Sequence, residues 1–107
     1  MRRGDIWTVS GGGYADKPRP AVIIQDSQFD ATASVTLCVF TTDPSEAPLF
    51  RPTVEPSISN GLMTLSRLMV DKISTVPKER LGRRIGRLDD ADIMSLNRAI
   101  MVFLGLA

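Results

Sequence analysis

The sequence predicts a mainly β fold: a small, strongly bent antiparallel sheet or barrel with one helix at its C-terminal end. Short apolar runs rich in β-branched residues alternate with proline- and glycine-containing segments along most of the chain. Only near the C-terminal end do apolar residues recur at helical spacing. Several strands followed by one helix are typical of such a sheet.

The first predicted strand covers residues 5–9, where side chains alternate between two faces. A run of three glycines follows at positions 11–13, and glycine gives the backbone unusual freedom. We therefore expect a mobile loop over about residues 10–18. The prolines at positions 18 and 20 then favour extended backbone, which leads the chain into the next strand.

Two apolar runs, residues 20–25 and 35–40, are predicted to form neighbouring strands. Both are too short for a lone helix and rich in valine or isoleucine, and the polar segment 26–34 links them. If they pair antiparallel, the residue entering the first strand and the residue leaving the second lie at the same end of the sheet. Those residues are Arg19 and Thr41.

The middle of the chain predicts loops and less regular strands. Residues 43–48 contain two prolines and predict a second long loop on the Arg19 side of the sheet. Pro52 limits any strand over residues 50–54 to a sheet edge, and Asn60-Gly61 predicts a turn. Residues 62–76 form the longest β-like stretch. Both of its faces mix apolar and polar residues, so we expect a bend or bulge near Arg67.

The last part of the chain predicts a one-turn helix over residues 76–81, a short strand over 83–88 and an amphipathic helix. Asp89 has the character of an N-cap, with further acidic residues in the first helical turn. Apolar residues recur at helical spacing until Gly105. We expect the Phe103-Leu104 end of this helix to lie in the core, or alternatively in a dimer interface.

Length and composition predict one domain over residues 1–107, because 107 residues with 43% hydrophobic content suffice for one core. The single cysteine, Cys38, lies within an apolar run, so we expect a buried thiol and a reducing, cytoplasmic environment. The N-terminal segment lacks the apolar region of a signal peptide, and no stretch has membrane-spanning length. The net charge of +1 gives little long-range attraction for nucleic acid, so contacts with RNA or DNA require locally placed cations.

The sequence has few of the residue types that bind metal ions or cofactors. The chain has no histidine, one cysteine and no carboxylate cluster at ligand spacing, so we expect no metal and no cofactor. The three glycines lack the lysine and serine or threonine that complete a phosphate-binding P-loop, and they are better interpreted as a flexible loop.

The predicted meeting of Arg19 and Thr41 is the strongest candidate for a site. A guanidinium beside a hydroxyl donor can bind a phosphate whose negative charge grows during a reaction. The alternative is structural: an arginine exposed at a strand edge, and a threonine that satisfies turn amides ahead of Asp43-Pro44.

Two further groups of charged residues have open interpretations. The most basic segment, residues 78–87, is suited to binding phosphate, or it is a solvated face that pairs with the aspartates at positions 89, 90 and 92. Arg67 and Asp71 lie two pleats apart on one predicted face. They flank a substrate groove or are merely neighbours at an edge.

Five motifs follow one another along nearly the whole chain: RGDIW at 3–7, RPAVIIQ at 19–25, CVFTT at 38–42, VDKISTV at 70–76 and RLGRRIGRLDD at 80–90. Together they resemble the MazF/PemK ribonuclease toxins of bacterial toxin–antitoxin modules. The resemblance implies an SH3-like antiparallel β-barrel with a C-terminal helix, usually dimeric. It also implies that Arg19 and Thr41 are catalytic.

The activity implied by the resemblance is metal-independent, sequence-specific cleavage of single-stranded RNA. The ribose 2′-hydroxyl attacks the adjacent phosphorus and leaves a 2′,3′-cyclic phosphate and a 5′-hydroxyl. The implied partners are a second copy of the chain and a cognate antitoxin with an acidic, partly disordered C-terminal segment. We expect the following residues to contribute substrate contacts: Tyr14, Lys17, Thr42, Arg67, Asp71, Lys72 and Arg80.

The sequence departs from the family pattern in two places. Many relatives have a Gly-x-Glu-Gln stretch in the first loop where this chain has GGGYADKP, so the cleavage sequence stays open. Some PemK-type relatives have an arginine where this chain has Met69, and the nearest arginine is Arg67. The segment MTLSRLMVDKISTVP also resembles the CcdB gyrase poisons, which share the fold without the nuclease site. A CcdB-like poison is therefore the alternative function.

Overall fold

The computed structural model describes residues 1–11 and 17–107. Within these residues the chain forms seven strands: β1 Asp5–Val9, β2 Arg19–Ile23, β3 Ser34–Thr41, β4 Thr53–Val54, β5 Ser66–Leu68, β6 Ser74–Pro77 and β7 Leu81–Arg87. One α-helix, α1, spans Asp90–Phe103. Three short 3₁₀ helices span Ser27–Phe29, Val70–Lys72 and Lys78–Arg80. The loop predicted over residues 10–18 falls largely on residues 12–16, outside the described residues.

The strands form a curled antiparallel sheet in the order β4-β5-β3-β2-β1-β7, and β6 also pairs with β3. The eight-residue strand β3 is its centre. It pairs with β2 on one edge, while on the other edge its first half pairs with β6 and its end pairs with β5. One strand with two successive partners on the same edge bends the sheet. The predicted fold class, a bent antiparallel sheet with a C-terminal helix, is confirmed.

The two faces of the central strands contribute to two different hydrophobic clusters, because successive strand residues point to opposite faces. Val22 and Cys38 pack in the cluster that also contains Leu96 and Ala99 of α1. Ile23 and Leu37 pack in a second cluster, with Val9, Ala21 and Val35. The sheet therefore has one face covered by the helix and one face directed away from it.

Helix α1 begins and ends as its sequence predicts. The Asp89 side chain accepts a hydrogen bond from the Asp92 amide at 2.8 Å, which satisfies one free donor of the first turn. Gly105 has a φ of 74° just beyond the helix, where glycine is favoured. Phe103 and Leu104 are 47% and 58% exposed, so their predicted place in the core is wrong. Among the aromatic rings of the described residues, that of Phe103 pairs only with that of Phe50, with 5.8 Å between the ring centroids.

The long β-like stretch of residues 62–76 is broken in a different place from the one predicted. Arg67 lies inside the regular strand β5; residues 62–65 before that strand belong to no strand, with bends at 63 and 64, and the 3₁₀ turn Val70–Lys72 follows it. The Val70 amide donates to the Phe50 carbonyl at 3.2 Å, and the Lys72 amide donates to the Met69 carbonyl at 2.9 Å. The irregularity predicted near Arg67 therefore lies on both sides of β5 and not at Arg67 itself.

The predicted Asn60-Gly61 turn is confirmed and fits tightly against β7. Gly61 has a φ of 70°, and a Cβ atom there would lie 2.2 Å from the Ile85 carbonyl oxygen. The buried Asn60 side chain accepts from the Ser57 and Leu62 amides and donates to the Glu55 carbonyl. This loop therefore covers one end of the core without leaving its polar side chain unpaired.

The one-turn helix predicted over residues 76–81 is present as Lys78–Arg80, and it leads directly into β7. The edge strand predicted over residues 50–54 is reduced to the two residues of β4. No helix of the described residues is long and apolar enough to cross a membrane.

Candidate active site

A cavity of about 680 Å³ opens on the sheet face that is directed away from α1. The apolar part of its lining comes from Val9, Leu37, Val39, Met69 and Val76. The cationic part comes from Lys17, Arg19, Lys72 and Arg80. No aspartate or glutamate is among the described residues that line it. Four positive charges around one cavity favour a ligand that carries several negative charges.

Arg19 and Thr41 lie at the same end of the central strand pair. In the antiparallel pairing of β2 with β3, Ala21 is opposite Val39. Arg19 begins β2 two residues before that pair, and Thr41 ends β3 two residues after it, so both lie at the same end of the two strands. The pairing predicted from the two apolar runs is confirmed.

Strand alternation directs the Thr41 side chain to the cavity face. Leu37 and Val39 line the cavity, and every second residue of a strand points to the same face. Thr41 is the next residue in that series, although it lies at the edge of the cavity and is not itself among the residues that line it. It is half-buried, whereas Arg19 is exposed, so one donor is held by the sheet and the other stands at the cavity mouth.

The Thr41 hydroxyl has one defined partner. Its Oγ1 accepts a hydrogen bond from the Asp43 amide at 3.1 Å. The turn-capping role considered as the alternative is therefore present. A hydroxyl that accepts one hydrogen bond still has its own hydrogen to donate. Capping consequently orients the hydroxyl and leaves its donor available on the cavity face.

Arg67 lies beside Thr41 on the neighbouring strand, since the two residues are partners in the register of β3 with β5. Its guanidinium is nearly buried. Nη1 donates to the Asp43 carbonyl at 3.1 Å, and Nη2 donates to Glu46 Oε1 at 3.3 Å. Arg67 is not among the residues that line the cavity. It holds the loop that follows β3.

Asp71 forms an ion pair that the sequence did not reveal. Arg51 donates to both of its carboxylate oxygens, with Nε–Oδ1 and Nη2–Oδ2 distances of 3.0 Å. These hydrogen bonds hold the pKa of Asp71 below its usual range. Asp71 thus anchors the 3₁₀ turn next to Lys72. Arg67 and Asp71 each bind a different protein partner, so they do not flank a common substrate groove.

The remaining predicted substrate contacts fall into three groups. Lys17, Lys72 and Arg80 line the cavity with Arg19, so the structure brings these four together. Thr42 is exposed, lies just beyond the end of β3 and is not among the residues that line the cavity. Tyr14 lies outside the described residues.

The basic segment that contains Arg80 is not paired with the aspartates at positions 89, 90 and 92, which was one of its two open interpretations. Lys78 pairs with Asp30, while Arg84 and Arg87 lie 3.4 and 3.3 Å from Asp5. Burial acts to raise the pKa of Asp5, but the Arg2 amide and the two arginines outweigh it and lower that pKa. Of this segment, Arg80 lines the cavity and the other residues named here stabilise the sheet.

The described residues contain no group of three or more histidine, cysteine, aspartate or glutamate side chains that could hold a metal ion. Cys38 is fully buried in the cluster that faces α1, and its burial raises the pKa of the thiol to about 12. The thiol is therefore protonated and lies on the opposite sheet face from the cavity.

Sequence reasoning missed the apolar part of the cavity lining and the two arginines that hold its surroundings. Met69 was noted only as a departure from a family pattern, yet it lines the cavity. Arg51 had no visible partner because Asp71 lies 20 positions further along the chain. The only sequence feature that pointed to this ion pair was the presence of an arginine in the predicted edge strand over residues 50–54.

Comparison with known proteins places these features in a family. A family model described as "PemK-like, MazF-like toxin of type II toxin-antitoxin system" matches residues 2–104. The "Probable endoribonuclease MazF" of Mycolicibacterium smegmatis is 54% identical, with alignment of 100% of this chain and 99% of the relative.

Solved structures with the same fold have similar lengths. "Endoribonuclease in complex with its cognate antitoxin from Mycobacterial species" is 26% identical with a TM-score of 0.81, covering 100% of this chain and 97% of that chain. "Mycobacterium tuberculosis toxin MazF-mt6" is 25% identical with a TM-score of 0.82, covering 96% of this chain and 98% of that chain. The match therefore extends over the whole curled sheet and the C-terminal helix.

Proposed function

The chain belongs to the PemK-like, MazF-like toxins of type II toxin–antitoxin systems, and from this premise we propose that it is an endoribonuclease toxin with Arg19 and Thr41 as its catalytic residues. The observation that carries the proposal is the cavity in which Arg19 and three further cations lie on the sheet face of Thr41. Such an arrangement suits a chain of phosphates. It offers two different hydrogen-bond donors at one end of the strand pair.

The reaction is transesterification within the RNA. The ribose 2′-oxygen attacks the adjacent phosphorus as its proton is lost to solvent, and the bond from phosphorus to the 5′-oxygen breaks. The leaving oxygen takes up a proton, which gives a 2′,3′-cyclic phosphate and a 5′-hydroxyl. DNA lacks the attacking hydroxyl and is therefore not a substrate.

Arg19 and Thr41 stabilise the charge that builds on the non-bridging phosphate oxygens. The guanidinium supplies a fixed positive charge with several donors, and the Thr41 hydroxyl supplies one oriented donor. A guanidinium is a poor base because its pKa lies above about 12, so Arg19 acts through charge and hydrogen bonds. This role needs no metal ion and no cofactor.

Substrate binding is assigned to the cations around the catalytic pair. Lys17, Lys72 and Arg80 contact neighbouring phosphates of a single strand, and the apolar lining contacts the bases between them. Tyr14 stays a predicted substrate contact, and Thr42, just beyond the end of β3, is at most a peripheral one. Arg67 and Asp71 are occupied by protein partners and do not bind substrate directly.

The same cationic cavity suits an antitoxin that blocks the enzyme. An acidic, partly disordered segment that folds on binding would neutralise the four cations and exclude RNA. The exposed apolar end of α1 is assigned to a symmetric dimer of this chain. Cytoplasmic RNA is the substrate. The family match and the named relatives favour this function over a CcdB-like gyrase poison.

The test is cleavage of end-labelled RNA by the purified protein in the presence of EDTA. We expect fragments with 2′,3′-cyclic phosphate and 5′-hydroxyl ends, and no cleavage of the same sequence with 2′-O-methyl riboses. Intact RNA together with trapped gyrase–DNA complexes would instead establish the poison.

A further inference from the structure

Arg67 is a nearly buried arginine next to the catalytic end of β3. Its side chain is 10% exposed, and its backbone is paired directly with that of Thr41. We propose that Arg67 is a positioning residue, which orients the Thr41 hydroxyl through the backbone of Asp43. The proposal rests on the catalytic role proposed above for Thr41.

The link from Arg67 to Thr41 consists of two hydrogen bonds that share one residue. Arg67 Nη1 donates to the Asp43 carbonyl at 3.1 Å. The Asp43 amide donates to Thr41 Oγ1 at 3.1 Å. Asp43 is thus held at its carbonyl by the guanidinium, and its amide in turn fixes one acceptor site of the hydroxyl. The hydrogen of that hydroxyl is left to donate to the substrate.

The loop would be poorly fixed without the guanidinium. Residues 43–46 are exposed and follow the last residue of β3. The other hydrogen bonds of Asp43 are local, because its Oδ1 accepts from the amide and the hydroxyl of Ser45. Arg67 provides the bond that connects this loop to the sheet across 24 positions of the chain.

Stability gives little reason for an arginine at this position. Arg67 Nε is buried and has no hydrogen-bond partner among the described residues, and an unpaired buried donor destabilises the fold. The side chain of Glu46 is 81% exposed, and ion pairs to such exposed groups contribute little to stability. The bond to the Asp43 carbonyl is the contact that an apolar residue could not replace.

A direct role in binding RNA is less consistent with the contacts. Two of the three guanidinium nitrogens already donate to Asp43 and Glu46, and the third is buried. Like its strand partner Thr41, Arg67 is not among the residues that line the cavity, so its bonded and buried nitrogens are what argue against direct binding. Its effect must therefore pass through the residues that it holds.

The first part of the test measures kcat and KM of Arg67→Met on a fluorescent RNA, with the melting temperature measured in parallel. A misplacement of about 1 Å can cost about 100-fold in rate, so we expect kcat to fall about 10- to 100-fold. KM should change less than about threefold, because the cations that bind the RNA are untouched. The protein should melt within a few degrees of wild type.

Two control variants separate the Asp43 bond from other effects. Glu46→Gln removes the ion pair and leaves the Arg67–Asp43 bond. Arg87→Met removes an arginine with the same kinds of partner, because Arg87 donates to the Arg3 carbonyl and to the Asp5 carboxylate. Asp5 begins β1, whereas the residue that pairs with Arg19 lies at the other end of that strand. Both controls should keep kcat within about twofold. An equal loss in Arg87→Met would assign the effect to general destabilisation and overturn the proposal.

The second part is a double-mutant cycle with Thr41→Ala. If Arg67 acts through the Thr41 hydroxyl, Arg67→Met should cause little further loss once that hydroxyl is gone, which is strong non-additivity. Additive losses would contradict the proposed route. A fully active Thr41→Ala variant would refute the catalytic role proposed for Thr41, whereas an inactive Thr41→Ala with an unaffected Arg67→Met would refute only the positioning role.

Discussion

The salt dependence of RNA binding should report how many cations of the cavity contact phosphate. Lys72 and Arg80 both line the cavity, and neither is one of the proposed catalytic residues. We therefore consider replacing each of them by methionine, which keeps much of the side-chain length and removes the charge. The substitutions should weaken binding and make it less sensitive to salt, while the rate of the bound complex changes little.

The magnitude follows from counterion release. For a single strand, log K falls with log salt with a slope of about −0.7 per phosphate neutralised. Four cations line the cavity. If each contacts one phosphate, the slope is about −2.8, and affinity falls about 50-fold between 50 and 200 mM salt. A single substitution lowers the slope to about −2.1, which corresponds to a fall of about 18-fold over the same range.

The assay is fluorescence anisotropy with an RNA whose 2′-O-methyl riboses prevent cleavage, titrated at several potassium chloride concentrations. Arg83→Met is the matched control, because Arg83 is an exposed arginine of β7 that does not line the cavity. Its slope should equal that of the wild type. An unchanged slope for Lys72→Met and Arg80→Met, or an equal change for Arg83→Met, would refute the assignment of RNA binding to this cavity.

Three further predictions concern stability and the groups behind the site. Ile23→Ala should lower the free energy of unfolding by about 2–5 kcal/mol in urea titrations, because Ile23 is 1% exposed, whereas Leu49→Ala, at a 70% exposed position, should change it by less than about 0.5 kcal/mol. The Arg51 hydrogen bonds lower the folded pKa of Asp71, so their contribution is present above the unfolded pKa of about 3.9 and is lost as pH falls through the folded pKa. The stability difference between wild type and Asp71→Asn should therefore narrow below about pH 4, and a constant difference from pH 7 to pH 3 would contradict this. Cys38, with a pKa raised to about 12, should resist a thiol reagent at pH 8 until urea unfolds the chain; rapid labelling of the native protein would show that the thiol is accessible.

The central strand pair could be predicted because its evidence is local. Two short β-branched runs with a polar link indicate antiparallel neighbours, and the register of Ala21 with Val39 confirms it. That pairing alone was enough to place Arg19 and Thr41 at one end of the sheet. The N-cap at Asp89 was also predictable, because a cap and the first helical turn are adjacent in sequence.

Features that depend on contacts between distant segments could not be predicted. The bidentate pair of Arg51 with Asp71 and the hold of Arg67 on Asp43 each connect residues 20 or more positions apart. The break in the long β-like stretch depends on an amide that bonds to the Phe50 carbonyl, which no local pattern records. Phe103 follows the helical apolar pattern, yet its side chain is 47% exposed. Helical periodicity identifies the apolar face of a helix, but it does not show which residues of that face are buried by the rest of the protein.

The central claim, that Arg19 and Thr41 perform the chemistry, is tested most directly by RNA cleavage with Arg19→Ala and Thr41→Ala, each measured alongside its melting temperature. Both residues lie at strand ends outside the two hydrophobic clusters. We expect both variants to melt within a few degrees of wild type and to cleave RNA about 100-fold or more slowly, because each loses one donor to the reacting phosphate. Two folded variants that cleave at the wild-type rate would contradict the claim.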